Sequence, residues 1–298
     1  MSNRKELLLK IVLTAVFSAL VFALTYVSIP LPTGAKVHLG NFACVLAGLL
    51  LGGLVGGISG SLGMGFNDIA QGYGWDTILR TFIVKFILGY SVGLLFRVLI
   101  SKDKKSKILL GSLAGIFLVG FVVSTIAYIN GDAYYNKKKE LVSTSRGFTI
   151  NIFGTTKIVE LSILVPIFLG ITALIIGAIV IFFIFKKNID ERKKSVYEAV
   201  ATVTAISVII NTAGEFVLRW FLSGIALASF DASFANSIAK LPANLITGVA
   251  TIIFVTIIYL PVYLALHHAG FDDVIIHSIE NDEVIINENN EEIEKVEA

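Results

Sequence analysis

The chain has 298 residues, 55% hydrophobic and 15% charged, with a mean hydropathy of +0.83 and a formal net charge of +2. Apolar stretches recur from residue 7 to residue 266, which excludes an ordinary soluble domain and points to a polytopic membrane protein. Cys44 is the single cysteine, so an intrachain disulfide and a cysteine-based metal site are both excluded.

The basic N-terminus, with Arg4, Lys5 and Lys10, leads into the first apolar run. The run is long for a signal peptide and no small-residue cleavage site follows, so an uncleaved first helix is predicted over 7–29. Within it Ala15, Ala19 and Ala23 recur four residues apart. Such a strip lets another helix approach closely. It suits packing inside this chain and packing against a partner equally well. Spans two and three are predicted at 38–56 and 57–70, with glycines at 48, 52, 53, 56, 57, 60, 63 and 65. No Gly-Lys-Ser/Thr closes this stretch, so it reads as close helix packing rather than a phosphate loop, and no ATP hydrolysis is expected of the chain.

The segment "FNDIAQGYGWDT" gathers Asn67, Asp68, Tyr73, Trp75 and Asp76 between spans three and four. Two readings stand: aromatic anchors at a membrane interface, or the mouth of a ligand site. Span four, 77–100, carries Arg80 and Lys85 within an apolar run. A cation in mid-bilayer costs at least about 2.5–3.5 kcal/mol. From Thr77, Arg80 lies about 4–5 Å along the helix and Lys85 about 12 Å, their directions about 140° apart. Arg80 shares its side with Ile83, Val84 and Ile87 and is expected at the lipid rim, snorkelling outward. Lys85 shares its side with Thr81 and Gly89 and is expected to point into the bundle and pair with Asp68 or Glu215.

Spans five and six are predicted at 109–129 and 161–185, separated by a polar, turn-prone loop over 130–160 that contains "NGDAYYNKKKE". Span seven, 196–218, leads "SVIINTAGEFVLRW", whose Ser207, Asn211, Glu215 and Arg219 form one drifting stripe. Glu215 and Arg219 as a simple i,i+4 pair is one reading; Asn211 and Glu215 facing a cavity is the other. Span eight, 242–266, places Pro242 in its expected first turn and Asn244, Thr247 and Thr251 on one face. Polar groups thus gather in the outer halves of several spans, which suits a solute pocket better than a channel lined along its whole length. The four histidines, His38, His267, His268 and His277, are scattered and suggest no metal site. The Lys and Arg distribution puts both termini in the cytoplasm. From Phe271 the chain carries ten acidic residues and one lysine and reads as a solvated tail.

Residues 37–90 resemble a known family: the S components, or substrate-binding membrane subunits, of energy-coupling factor (ECF) vitamin transporters, in the riboflavin and hydroxymethylpyrimidine-type branch. The likeness rests on Leu39-Gly40-Asn41, the paired Gly-rich helices, Asp68, and Thr81 with Lys85. "GEFVLRWFL" and "KLPANLITGV" resemble the family's last two helices, and Ala15-x-x-x-Ala19 its alanine motif. The resemblance implies an all-α polytopic bundle, a six-helix core with two inserted helices over 105–195, making about eight spans. It implies a membrane domain over 1–270 and an acidic cytoplasmic tail over 271–298. It implies no enzyme, no cofactor, no metal and no nucleic-acid partner. The expected role is capture of a vitamin-like small molecule outside the cell membrane, with His38, Asn41, Asp68, Tyr73, Trp75, Lys85, Asn211, Glu215 and Asn244 as solute-binding residues. The loop "VSIPLPTGAKVHLG" would be a lid. Ala15, Ala19 and Ala23 would dock a transmembrane coupling subunit, itself joined to two cytoplasmic ATPase subunits. The rival reading is a self-contained ion-coupled secondary transporter with Glu215 or Asp68 as proton carrier.

Overall fold

The computed structural model describes residues 3–30, 36–100, 103–135, 141–152, 155–162 and 191–271, with isolated positions at 166, 169, 170, 173, 177, 274 and 275. The first helix, α1 (Asn3–Tyr26), ends at a small hairpin, β1 (Ser28–Pro30) and β2 (Lys36–His38), paired antiparallel with Ile29 opposite Val37. This hairpin occupies part of the expected lid; residues 31–35 of that loop lie outside the described residues. Next come α2 (Gly40–Leu51), α3 (Gly53–Ala70) and α4 (Trp75–Leu99).

The α2–α3 break falls at Gly52, not near residue 56 as the sequence suggested. Gly52 takes a φ of 96°, where a side chain is disfavoured, and its N–H closes α2 on the Gly48 carbonyl at 3.1 Å. The 12 residues of α2 reach only about 18 Å, well short of a hydrocarbon layer of about 30 Å. Four helical stretches among the described residues are long and apolar enough to cross a membrane: Arg4–Tyr26, Trp75–Leu99, Lys193–Ala226 and Ala232–His268. The chain is a membrane helix bundle. The predicted sixth span, 161–185, lies almost wholly outside the described residues, as does the acidic tail beyond residue 275.

The fifth predicted span appears as α5 (Asp103–Asn130). The predicted loop after it is instead a three-stranded antiparallel sheet, β3 (Asp132–Tyr135), β4 (Leu141–Ile152) and β5 (Thr155–Ser162), in that spatial order. "LVSTSRGFTINI" and "TTKIVELS" are rich in β-branched residues, which suit a pleated surface, and they pair with Phe148 opposite Val159. The turn-like residues before them had masked that signal.

Helix α6 (Glu191–Leu218) continues through a π-helical stretch, Arg219–Ser223, into a last turn, Gly224–Ala226. The Ser233 hydroxyl contacts the carbonyls of Arg219 at 3.0 Å and Trp220 at 2.9 Å, compensating the altered backbone ladder there. Helix α7 (Phe230–His268) is capped by Ser229, whose hydroxyl accepts from the Ala232 N–H at 3.3 Å. Pro242 therefore sits well inside α7 rather than in its first turn, and the helix begins earlier than the proline suggested.

Lipid offers no hydrophobic drive between helices, so close packing of small residues must hold them together. The glycines do this. A Cβ on Gly89 of α4 would stand 2.2 Å from the Gly56 carbonyl carbon of α3, and one on Gly56 would stand 2.5 Å from Gly48 of α2. A Cβ on Gly63 would meet the Ser18 carbonyl of α1 at 2.6 Å. Helices α1 to α4 are thus joined backbone to backbone. In α6 and α7 the equivalent contact is Gly248 against Val208, where a Cβ would stand 2.5 Å from a methyl carbon. Between these two groups of helices lie aromatic edges, Phe42 against Phe254 at 6.2 Å and Phe96 against Tyr259 at 5.5 Å. Ala15, Ala19 and Ala23 are exposed on α1, beside Ile11, Val12, Val16 and Leu20. The alanine strip does not pack inside the described chain.

Candidate functional site: a charged cavity between two helix groups

At the hairpin end of the bundle, α1, β2, α2, α3, α4, α6 and α7 line a cavity of about 260 Å³. The antiparallel run of α4 against α6 fixes its base, because Arg80 and Lys85 descend one helix as Arg219, Glu215 and Asn211 descend the other. Glu215 is 6% exposed and stands at the centre of three cations. Its Oε2 lies 2.9 Å from Arg80 Nε and 3.2 Å from Arg219 Nη2, and its Oε1 lies 3.0 Å from Lys85 Nζ. Lys85 also donates to Asn211 Oδ1 at 2.9 Å. Glu215 thus both pairs with Arg219 and faces the cavity, whereas Asn211, the other residue of the expected cavity-facing stripe, does not line it.

Next to this cluster, the Thr81 hydroxyl donates to Asp68 Oδ2 at 2.5 Å. Asn67 reaches the Phe22 carbonyl at 3.5 Å and accepts from the Gln71 amide, while Lys36 of the hairpin donates to Gln71. The Lys36 ammonium also lies 5.4 Å over the Tyr73 ring. These contacts fasten the hairpin to the α3–α4 turn beside the cavity mouth. Asp76 is held by the Ser223 hydroxyl at 2.5 Å, which ties the start of α4 to the π stretch of α6.

Of the residues expected to bind solute, His38, Asn41, Asp68, Tyr73, Lys85, Glu215 and Asn244 line the cavity. Asn211 lies behind it and orients Lys85. Trp75 is 55% exposed and takes no part in the lining. Arg80 is the main correction. The sequence placed it at the lipid rim; it is 4% exposed and paired with Glu215. Helix α4 packs on two sides, with Gly89 and Gly93 against α3 and Val84 against Gly214 of α6. Its buried arc is therefore wide enough to contain both cations, and only Ile83, Ile87 and their neighbours face outward.

The sequence reading also passed over Lys36, Gln71, Thr77, Asn236 and Lys240 as lining residues. Asn236 and Lys240 precede Pro242, and an earlier start for α7, signalled by Ser229 as a cap, would have brought them in. For Lys36 and Gln71 no local signal exists; the hairpin brings them together.

His38 accepts from the Gly40 N–H at 3.2 Å through Nδ1, which fits a neutral imidazole with its proton on Nε2. Burial pushes its pKa down to about 4 from the ordinary 6.5, and the nearby Lys85 charge pushes the same way. The folded state therefore resists a proton that the unfolded chain accepts, so stability is lost as pH falls through 6.5 toward 4. Thermal unfolding in detergent should show this decline, and His38→Gln should flatten it. An imidazole resonance of His38 titrating at 6.5 would contradict the assignment.

Among the described residues no cluster of histidine, cysteine, aspartate or glutamate could hold a metal ion. A family model described as ECF-type riboflavin transporter, S component, matches residues 7–159. The match takes in the α1–α4 wall of the cavity and stops before α6 and α7, which supply Glu215, Arg219 and Asn244. No curated protein and no solved structure matches the chain.

Proposed function

Since the chain belongs to the family of ECF-type riboflavin transporter S components, and is a substrate-binding transport subunit rather than an enzyme, we propose that its charged cavity is the solute site. The cavity would open to the outer side, with the β1–β2 hairpin as its lid and both termini cytoplasmic. His38, Asn41, Asp68, Tyr73, Lys85, Glu215 and Asn244 would contact the solute, Asn211 would position Lys85, and Arg80 and Arg219 join them. The observation that carries this reading is the buried Glu215 cluster. Intramembrane charges persist where they serve a pathway or a ligand, and this one lines a polar cavity at the hairpin end of the bundle.

The family further suggests the partners: a transmembrane coupling subunit and two cytoplasmic ATPases. The exposed Ala15, Ala19 and Ala23 form the surface we assign to the coupling subunit, because no helix of the described chain covers them. The six-helix core would then be α1 to α4 with α6 and α7, and 105–195 the insertion.

Replacing Ala15 and Ala19 with Leu keeps α1 hydrophobic and adds bulk to the strip. Capture of the coupling subunit and solute uptake should fall several-fold, while thermal stability and solute binding of the isolated protein stay unchanged. Loss of fold would instead place the strip in an internal contact. Uptake into vesicles should require the coupling subunit and ATPases. Uptake driven by this chain alone with a proton gradient, abolished by Glu215→Gln or Asp68→Asn, would establish the self-contained transporter.

A further inference from the structure

The family match names a flavin transporter, yet the cavity is not built for a flat, neutral ring system. Among the described residues, Tyr73 is the only Phe, Tyr or Trp side chain in its lining, and its ring already carries Lys36. Met64 is the one large aliphatic side chain among the described lining residues. The volume of about 260 Å³ is near or below the small end of ordinary ligand pockets, about 300–1,000 Å³.

The charges are unbalanced. Leaving aside Lys240, which has an interaction of its own, the charged residues lining the cavity among the described residues are Lys36, Arg80, Lys85 and Arg219 against the carboxylates of Asp68 and Glu215: four cations to two anions. Two of the polar atoms at the wall are also unfilled. Arg80 Nη1 and Asn41 Oδ1 are buried and have no hydrogen-bond partner within the described protein, although both residues line the cavity and each is 4% exposed. Buried donors and acceptors are nearly always satisfied, so such a pair at a cavity wall marks where a ligand's complementary groups go. Uncompensated positive charge in a membrane interior is costly, and an arriving anion removes that cost. A guanidinium is the side chain best shaped to grip a carboxylate or phosphate.

We propose that the solute of this cavity carries an acidic group, a carboxylate or a phosphate, seated against Arg80 and Arg219, with a hydrogen-bond donor elsewhere on it meeting Asn41. The inference rests on reading the cavity as the solute site and narrows that solute to a small anion. Arg80 Nη1 donates to the acidic oxygen while Arg80 Nε keeps its ion pair with Glu215, so binding adds a partner without breaking one. Lys36 on the hairpin supplies a further positive charge above the bound anion.

The test uses the whole protein in detergent and three sodium salts at equal ionic strength and pH 7: chloride, phosphate and benzoate. Phosphate or benzoate should raise the thermal unfolding temperature above that in chloride. Which of the two acts distinguishes a phosphate ligand from a carboxylate. The rise should disappear in Arg219→Gln and shrink in Lys36→Gln, a variant on the exposed hairpin that leaves the buried cluster intact. Equal unfolding temperatures in all three salts would overturn the proposal. So would riboflavin binding that neither phosphate nor benzoate displaces. Capture of the coupling subunit by the same preparations reports on the transport role separately: anion stabilisation without capture would sink the role and leave the acidic ligand standing, and capture without anion stabilisation would do the reverse.

Discussion

Glu215→Ala is expected to be the most damaging single substitution in the cavity. It leaves Arg80, Lys85 and Arg219 facing one another with their common carboxylate gone. Removing one partner of a buried pair costs about 3–5 kcal/mol, chiefly because the other charge is left uncompensated. Here three cations are left, and the remaining carboxylate in the described lining, Asp68, already accepts from Thr81. The variant should lose its cooperative thermal transition in detergent or unfold at a much lower temperature. Glu215→Gln, which keeps the shape and one acceptor oxygen, should fall between it and the parent. An unfolding temperature equal to the parent's would mean that the cluster is held by something other than Glu215.

Lys85→Met should be the next largest in effect, and smaller for a definite reason. It strips a partner from Glu215 Oε1 and from Asn211 Oδ1, but Glu215 keeps Arg80 and Arg219. The main residual cost is the buried Asn211 oxygen left unsatisfied, about 1–3 kcal/mol. Because Lys85 and Glu215 share one contact, the double variant should cost less than the two single costs added together, by about 0.5–3 kcal/mol. Strict additivity in that cycle would separate the two residues functionally. Arg80→Gln belongs with this pair. A rim anchor would have tolerated it, whereas a side chain buried against Glu215 should not.

Lys85 and Glu215 were legible in the sequence because each is a charge inside an apolar run, and the cost of that placement demands a partner. The glycine run was legible for a similar reason: small residues without phosphate-loop chemistry have little use in a membrane helix other than contact. Arg80 was misread because a helical wheel gives directions but not how many sides of a helix are covered. With α3 on one side of α4 and α6 on another, two residues 140° apart can both be buried. Lys36, Gln71 and Tyr73 meet only because a hairpin folds back over the α3–α4 turn, a long-range event that periodicity does not encode. The sheet over β3 to β5 was missed although Ile, Val and Thr in "TTKIVELS" carried its signal, because the preceding Asn, Gly and Lys residues read as a continuous loop.

The two helix groups meet across a seam of mixed character. Away from the cavity, aromatic edges join them; at the cavity, the join is Arg80 and Lys85 reaching to Glu215. The proposed anion, accepting from Arg80 and Arg219, would share the positive charge on which that join depends. On the proposed role of the cavity, solute occupancy and the grip of α4 on α6 would be linked quantities, and linkage is reciprocal. Whatever factor an occupied cavity applies to the closure of the seam, closing or parting the seam applies to the affinity of the cavity.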